Sequence, residues 1–412
     1  MRSKGEFFEK KLVLLIIRLS SIGLSYLILY YMTNYDGGVS KYGEFSYFFS
    51  FIAIYSIFLK FGFDTMILRV DMNDVDLIRK KFSYFYFINI FQFFLNIILY
   101  ISLKIPFYVV ISAHLFSLSF VFSELLRRDN KVGLYLLFTN SFFLLIQFLL
   151  IIFVGSSHLP FIFFISYFIN FIIVVKLVFS WYKQLILVSP SIIPFSVIRT
   201  YFNASVLEVS NSFNSHGITY IFSFFTTNDI LGVFSICKKL SNGVELPYQI
   251  LNISNAPVYS NLRNFSFEFR VFLKKQIKLF FIFGFLFPIF SYFLVFFLID
   301  ILLIPEKFIN LFYVLSFILF LSKALNGLTG PTFTLIKIFG NLNSVARFQS
   351  IYYLISTFII LLSGYLSLYF HVNQLDLAII LTVLSSMSLL IINIFYLRIL
   401  REKYNIVLFK FI

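Results

Sequence analysis

Long runs of apolar residues, separated by short polar segments, recur along the whole chain. The runs are long enough to cross a bilayer as helices, and they lack the strict alternation that marks the strands of a membrane barrel. They predict an all-α polytopic membrane protein with about twelve transmembrane helices. The predicted helices span residues 12–32, 43–68, 82–103, 107–125, 132–154, 160–181, 196–225, 230–258, 276–299, 308–335, 346–369 and 376–397.

The distribution of basic residues gives these predicted helices an orientation. With the N-terminus in the cytoplasm, 25 of the 33 Lys and Arg residues fall in cytoplasmic segments. The outer loops then hold only Lys41, Lys104 and Lys307. Because positively charged loops stay on the cytoplasmic side, both termini are predicted to be cytoplasmic. The net charge of +15 is thereby explained by membrane topology and not by a nucleic-acid partner.

The composition excludes several classes of protein. Hydrophobic residues make up 60% of the chain and charged residues 12%, which does not fit a soluble enzyme. The single cysteine, Cys237, excludes a disulfide framework, and the four histidines are too scattered for a metal site. The sequence has no phosphate-binding Gly-Lys-Ser/Thr loop and no stretch that could form a soluble nucleotide-binding domain. We therefore expect no organic cofactor, no metal and no enzymatic activity.

A faint internal repeat divides the chain into two halves. The segment YGEFS at 42–46 opens the second predicted helix, and LGVFS at 231–235 opens the eighth, 189 residues later. This offset equals the distance between equivalent helices of two six-helix lobes related by a pseudo-two-fold axis. We predict an N-lobe at 1–181, a cytoplasmic linker at 182–195 and a C-lobe at 196–412.

Five basic residues fall inside predicted membrane helices, and they are the main candidates for chemistry. They are Arg18, Lys60, Lys238, Lys239 and Lys323. A charged side chain at the bilayer centre costs about 2.5–3.5 kcal/mol even on a lenient scale, so these residues must face protein, water or a ligand. On the eighth predicted helix, Lys238 shares a stripe with Ser241, Asn242, Glu245 and Gln249. Pro247 predicts a kink there.

Some of these charges have simpler interpretations that stay open. Lys60 and Asp64 are four residues apart and could neutralise each other, and Arg18 could extend to the cytoplasmic headgroups. Lys238 and Glu245 could form an internal salt bridge. Glu124 is expected to pair with Arg127 or Arg128 and is assigned no function.

A cationic cavity rich in Ser and Asn suits an anionic substrate rich in hydroxyl groups. A lipid-linked sugar diphosphate has both features, and its tail could stay in the bilayer while its head crosses. The predicted substrate-binding residues are Arg18, Lys60, Lys238, Lys239, Lys323, Asn211 and Asn242.

Four stretches carry a resemblance to a known family. The longest is NDILGVFSICKKLSNGVELPYQILNISNAPVYSNL at 228–262, supported by YGEFSYFFS at 42–50, KFGFDTMILR at 60–69 and LNGLTGPTFTLIKIFGN at 325–341. Together with the helix count and orientation, they resemble the multidrug/oligosaccharidyl-lipid/polysaccharide exporter superfamily. Within it, the chain is most similar to the Wzx-type O-antigen flippases. Lysines stand where the family often has arginines, and the Lys238–Lys239 doublet is unusual.

The resemblance implies two lobes around a V-shaped cavity and alternating access in the bacterial cytoplasmic membrane. It implies undecaprenyl-diphosphate-linked oligosaccharide as substrate, with a polysaccharide polymerase and a chain-length regulator as partners. The cavity cations of the family correspond in kind to Arg18, Lys60, Lys238 and Lys239. Coupling to a proton or sodium gradient is also implied, and Glu208, Glu245 and Asp64 are the candidate ion-coupling residues.

Two other functions remain as alternatives. A cation-coupled exporter of drugs or other small molecules would have the same fold, but such exporters of organic cations favour acidic cavities. A membrane polysaccharide polymerase would resemble proteins that have a large outer loop. This sequence predicts no such loop.

Overall fold

The computed structural model describes residues 4–68, 74–103, 105–129, 131–261, 266–332, 334–335 and 342–404. All regular secondary structure among the described residues is helical, with no strand among them. The first group of α-helices is α1 (Lys4–Tyr35), α2 (Gly38–Lys60), α3 (Phe63–Leu68), α4 (Val75–Leu103), α5 (Phe107–Arg128), α6 (Val132–Leu136), α7 (Phe142–Val154), α8 (Leu159–Ile186) and α9 (Phe195–Ser212). The second group is α10 (Ile218–Phe222), α11 (Asn228–Val244), α12 (Leu246–Asn261), α13 (Ser266–Phe280), α14 (Phe287–Tyr292), α15 (Val295–Ile301), α16 (Glu306–Leu328), α17 (Leu342–Tyr369) and α18 (Gln374–Tyr404).

Eight helical segments within the described residues are long and apolar enough to cross a membrane. They are Ile16–Tyr35, Gly38–Lys60, Phe107–Arg127, Val132–Val154, Ser156–Ile186, Glu306–Leu328, Arg347–Tyr369 and Gln374–Glu402, with a ninth if the bent pair Glu268–Tyr292 and Val295–Ile301 is one span. Large apolar side chains lie exposed on the outside of these helices, including Phe153 at 81% and Leu354 at 70%. Such surfaces are stable only against lipid.

Several predicted helices are interrupted in the structure. The segment 43–68 was predicted to be one helix, but Phe61 and Gly62 take positive φ angles of 49° and 74° and separate α2 from α3. A Cβ on Gly62 would lie 2.8 Å from Ala204 Cβ and 2.9 Å from Ser205 N, so the turn needs glycine for both conformation and space. The predicted straight helix is therefore wrong at this point.

Three other predicted boundaries also need correction. The segment 196–225 contains a π-helical turn at Phe213–Gly217 between α9 and α10. The segment 276–299 likewise contains a π-helical turn, at Phe281–Leu286. The segment 308–335 ends its α-helix at Leu328, because Gly330 is left-handed with φ 65° and Pro331 cannot donate a backbone hydrogen bond. Near Pro247, where the sequence predicts a kink, the α-helix is interrupted at one residue, since α11 stops before Glu245 and α12 starts after it.

The chain forms two compact units. Unit 1 comprises Met1–Gly37 and Tyr47–Gly217, and unit 2 comprises Gly38–Ser46 and Ile218–Ile412. The segment predicted as a linker, 182–195, lies within unit 1. There Ser191 N donates to Ser83 O at 3.3 Å, Ser83 Oγ donates to Ser191 Oγ at 2.7 Å, and Ile193 is buried.

The core of unit 1 is built from aromatic rings. Phe82 of α4 stacks on Phe122 of α5 with ring centroids 5.9 Å apart, and Phe63 of α3 contacts Tyr201 of α9 at 4.4 Å. Phe63 and Phe82 are fully buried. Since aromatic pairs add about 0.5–1.5 kcal/mol beyond the area they bury, this core holds α3 and α9 together. These two helices carry the charged residues described below.

Within the described part of unit 2, helices approach each other closely at two pairs of glycines, Gly43 with Gly232 and Gly284 with Gly327. Glycines at both places let the backbones meet, because an added Cβ on Gly43 would overlap Asn228 O and one on Gly327 would overlap Gly284 O. Such contacts between small residues are the usual way for membrane helices to pack closely. Gly43 lies in the predicted repeat segment YGEFS.

Candidate functional site

The two adjacent lysines of α11 lie in unit 2, where each has a neutral oxygen partner. Lys238 is only 8% exposed, and its Nζ donates to Thr219 Oγ1 at 3.0 Å. Lys239 is partly buried, and its Nζ donates to Tyr42 Oη at 3.4 Å. Lys238 forms no ion pair with another residue that the structure describes.

The environment of Lys238 leaves part of its hydrogen-bonding capacity unused. An ammonium has three N–H donors, and Thr219 accepts one of them. The ring of Phe234 lies 5.5 Å from Nζ and supplies a weak cation–π contact. Among the described residues, no acceptor meets the other two donors. A buried cation in this state favours the approach of an anion.

The crossing of α2 and α11 brings Tyr42 to Lys239. A Cβ on Gly232 would overlap Val39 O, and a Cβ on Gly43 would lie 2.9 Å from Gly232 N. Gly43 of YGEFS and Gly232 of LGVFS therefore both lie where α2 and α11 cross. Both segments belong to unit 2.

Lys323, the third candidate lysine in unit 2, forms an ion pair with a carboxylate. Lys323 Nζ of α16 lies 2.6 Å from Glu245 Oε2, and Gln249 Nε2 donates to the same oxygen at 3.4 Å. The side chains of Lys323 and Glu245 are 16% and 22% exposed. Glu245 thus pairs with Lys323 and not with Lys238, which excludes the internal salt bridge considered from the sequence. Asn242, also on α11, is partly buried.

The charges of unit 1 form a separate group around Lys60. Lys60 Nζ lies 2.8 Å from Asp64 Oδ2 and 3.0 Å from Glu208 Oε2. Lys60 and Asp64 are buried, whereas the Glu208 side chain is 25% exposed. Nζ also lies 3.9 Å from the centroid of the Phe120 ring. The local Lys60–Asp64 pair is confirmed, and Glu208 is an additional partner that lies 148 residues away in sequence.

Two predicted site residues do not join these groups. Arg18 lies on α1 in unit 1, where it is partly buried and makes no ion pair within the described part of the chain. Asn211 lies on α9, but its side chain is outside the described residues. The predicted ion-coupling residues are likewise divided, with Asp64 and Glu208 in unit 1 and Glu245 in unit 2.

Sequence reasoning missed partners that lie far away along the chain. The sequence indicates Tyr42 only through the repeat segment YGEFS, in which it directly precedes Gly43. Phe120 gave no signal, since it is one of 62 phenylalanines. The predicted pairing of Glu124 with Arg127 is confirmed at 3.4 Å, but the sequence does not indicate that Glu124 is almost fully buried.

The described residues contain no group of three or more His, Cys, Asp or Glu side chains arranged to hold a metal ion. The carboxylates of both groups instead contact lysines. Lysine ammonium groups can bind anions, and carboxylates can form ion pairs or exchange protons.

No protein-family model matches the chain, and no curated protein matches its sequence. Solved structures do match. An inward-facing multidrug resistance MATE family transporter of the MOP superfamily has a TM-score of 0.61 at 12% identity, covering 94% of this chain and 99% of that one. The MATE multidrug transporter DinF-BH, solved as a complex, has a TM-score of 0.57 at 16% identity, covering 96% and 97%.

A third solved structure comes from Pyrococcus furiosus. It is described as a MOP superfamily transporter in which "reverse polarity of binding pocket suggests different function". Its TM-score is 0.52 at 12% identity, covering 95% of this chain and 93% of that one. At these identities the likeness concerns the fold alone, so the chain has the fold of the MATE transporters. Together with its apolar helices, this fold makes the chain a multi-pass membrane protein.

Proposed function

We propose that the chain is a membrane transporter that moves an anionic, lipid-linked oligosaccharide across the cytoplasmic membrane of a bacterium. The proposed substrate is an undecaprenyl-diphosphate-linked repeat unit, as for a Wzx-type flippase. The observation that carries the proposal is the buried ammonium of Lys238, which contacts a neutral hydroxyl and leaves two N–H donors for an anion.

Three physical arguments support this substrate class. A buried cation without a carboxylate partner raises the affinity for phosphate oxygens, because the desolvation cost is already included in the folded state. Neighbouring Lys239 adds a second positive charge on the same helix. The hydroxyls of Thr219 and Tyr42 could exchange hydrogen bonds with sugar or phosphate.

The proposal also includes the topology, the ion coupling and the partner proteins expected from the sequence. They are twelve transmembrane helices in two lobes, cytoplasmic termini, coupling to a proton or sodium gradient, and cooperation with a polysaccharide polymerase and a chain-length regulator. The basic loops support the orientation through the positive-inside rule. Besides Lys238 and Lys239, the proposed substrate contacts are Arg18, Lys60, Lys323, Asn211 and Asn242.

A second candidate is a cation-coupled exporter of drugs or other small molecules. Two of the solved structures with the same fold are described as multidrug transporters, and this observation favours that function. The Pyrococcus protein is relevant here, because its description links a changed pocket polarity to a different function within one superfamily. The positive charge at Lys238 and Lys239 opposes organic cations and favours the first candidate.

The test is complementation of a deletion strain that accumulates the lipid-linked repeat on the cytoplasmic leaflet. The wild-type chain should restore surface polysaccharide, and Lys238→Ala should fail to do so at an equal amount of folded protein. Lys307→Ala is the matched control, because Lys307 is largely exposed and lies 3.7 Å from Asp229. Normal display by the Lys238→Ala, Lys239→Ala double variant would refute the role of these cations. Efflux of organic cations without any effect on polysaccharide would establish the second candidate instead.

A further inference from the structure

The end of α8 and the segment that follows it expose apolar side chains at one end of unit 1. The exposed apolar residues are Trp181, Leu187, Ile192 and Phe195. Ile192 and Phe195 are 78% and 86% exposed, so the protein covers little of their surface. In the same stretch, Tyr182 and Ile193 are buried in the core of unit 1. Residues 181–195, called the interfacial segment below, therefore present apolar side chains both to the core and to the outside.

The length of α8 places the start of this segment in the headgroup layer of a bilayer. The helix has 28 residues and is about 42 Å long, whereas the hydrocarbon core of a bilayer is about 30 Å thick. Trp181 lies 22 residues after Leu159, or about 33 Å along the helix axis. The tryptophan ring is therefore expected just beyond the hydrocarbon core.

The backbone of the interfacial segment supports the same location. Residues 187–194 form neither helix nor strand, and they include Pro190 and Pro194. Irregular backbone is not stable in contact with hydrocarbon, because its polar groups need water or protein partners. The exposed apolar side chains, in contrast, favour lipid over water. Both requirements are met in the layer between hydrocarbon and water.

A group of polar contacts holds the Trp181 ring in place. The ammonium of Lys131 lies 3.8 Å from the ring centroid. Lys131 Nζ also lies 2.7 Å from Asp129 Oδ2, and Tyr182 Oη donates to the same oxygen at 2.6 Å. The charge of Lys131 is thus balanced by Asp129, and Trp181 is fixed by a cation–π contact.

Helix α4 holds the irregular part of the segment and brings basic residues to it. The Ser83 hydroxyl hydrogen-bonds to Ser191 Oγ at 2.7 Å and to the carbonyl oxygen of Ser189. Arg79 and Lys80 lie about one helical turn before Ser83 and are exposed. These two cations therefore lie beside the interfacial segment.

The exposed charges around the interfacial segment are mostly positive. Four exposed basic residues there form no ion pair with any described residue, namely Arg79, Lys80, Lys183 and Arg199. The unpaired carboxylates at this end of α4 are Asp74 and Asp76, and Asp74 caps the helix by accepting from Leu77 N at 3.0 Å. An anionic bilayer surface attracts such basic residues, and each one near the surface strengthens association roughly five-fold.

We propose that the interfacial segment and its four basic neighbours form a binding site for anionic phospholipids in the headgroup layer. The exposed apolar side chains insert among the upper parts of the acyl chains, and the ammonium and guanidinium groups bind the lipid phosphates. The Trp181 ring lies between these two regions, where tryptophan is enriched in membrane proteins. The site attaches unit 1 to the membrane surface that the basic loops predict to be cytoplasmic. This inference needs neither the transported substrate nor the proposed function.

The test uses the fact that Trp181 is the only tryptophan of the chain. Bromine atoms on a neighbouring lipid quench tryptophan fluorescence, so the emission reports which lipids contact the segment. The purified full-length protein is reconstituted in phosphatidylcholine vesicles with an equal minor fraction of brominated phosphatidylglycerol or brominated phosphatidylcholine. The anionic brominated lipid should quench Trp181 more strongly, and high salt should remove the difference. Bromines at the headgroup end of the acyl chains should quench more than bromines at the methyl end.

Two double variants separate this site from the general charge of the protein. Lys183→Gln combined with Arg199→Gln should lower the preference for phosphatidylglycerol at Trp181 at least about five-fold, since two cations are lost. Lys274→Gln combined with Lys275→Gln is the matched control, because both lysines are exposed on α13 in unit 2. The control loses the same charge and should keep the preference of the wild-type protein.

A second position of the reporter tests the irregular part of the segment. Ile192→Trp in a Trp181→Phe background should show the same preference for phosphatidylglycerol. Equal quenching by the two brominated lipids in the wild-type protein would overturn the anionic site. Stronger quenching from the methyl end of the acyl chains, or no quenching by any brominated lipid, would overturn the interfacial position.

Two further features keep the test decisive. Circular dichroism establishes that each variant is folded, and the salt dependence of quenching in the wild-type protein tests the site even where a variant does not fold. The vesicles contain no lipid-linked sugar, so a negative result leaves the transport proposal intact. Normal polysaccharide display in the Lys238 and Lys239 variants would, conversely, refute transport alone.

Discussion

The close crossing of α2 and α11, which brings Tyr42 to Lys239, can be tested by substituting its glycines. Gly232→Ala places a methyl group against both the backbone carbonyl and the side chain of Val39. The new Cβ would overlap Val39 O and lie 2.8 Å from Val39 Cγ1. Ordinary contact begins near 3.4 Å, so the two helices must separate by a substantial fraction of an ångström.

The expected cost follows from two opposing effects. Inserting a methyl group into a tight contact typically costs about 1–3 kcal/mol. The cost is expected near the upper end of this range, because the backbone carbonyl of Val39 cannot move away as a flexible side chain could. Replacing a helical glycine by alanine returns roughly 1 kcal/mol through helix propensity. The net destabilisation of Gly232→Ala is then about 2 kcal/mol, or roughly a 30-fold change in the ratio of folded to unfolded protein.

The assay is unfolding of the purified protein in detergent, followed by helical circular dichroism. Gly23→Ala on α1 is the matched control, because nothing lies within 4 Å of an added Cβ at that position. The control should be stabilised by roughly 1 kcal/mol, since only the propensity effect remains. Gly43→Ala should resemble Gly232→Ala, as its Cβ would overlap Asn228 O. Equal stability of Gly232→Ala and Gly23→Ala would refute the close crossing.

Three further predictions concern charges. Lys323→Met should destabilise the protein by roughly 1–3 kcal/mol, because Glu245 loses its partner. Adding Glu245→Gln should recover part of this loss of stability. Additive losses of stability in the double-mutant cycle would contradict the pairing. Hydrogen bonds from Lys131 and Tyr182 hold the pKa of Asp129 below its ordinary value. The stability that the ionised Asp129 contributes is complete above the usual carboxyl pKa of about 3.9 and is lost as the pH falls. The melting temperature of Asp129→Asn should therefore fall less on acidification than that of the wild-type protein. A reporter protein that is active only in the cytoplasm should be active when fused to either terminus. Activity only of a reporter that requires the periplasm would contradict the positive-inside orientation.

Much of the helical framework could be predicted from the sequence. The apolar segment 107–125 corresponds to Phe107–Arg128 and 132–154 to the span Val132–Val154, because the free energy of moving apolar residues into lipid depends on the local run alone. The break at Phe61–Gly62 was not predicted. It depends on the backbone of α9, which lies against Gly62 at Ala204 and Ser205. No local pattern near Gly62 encodes that contact.

The sequence by itself determined which residues are charged inside membrane helices and which helix faces are polar. Only the tertiary structure decided how those charges are paired. Lys60 meets Glu208 at a separation of 148 residues and Lys323 meets Glu245 at 78, while Lys238 is left with a hydroxyl. The physical reason is that hydropathy and helical periodicity act over a few turns, whereas an ion pair requires two atoms within about 4 Å and therefore depends on how distant helices pack.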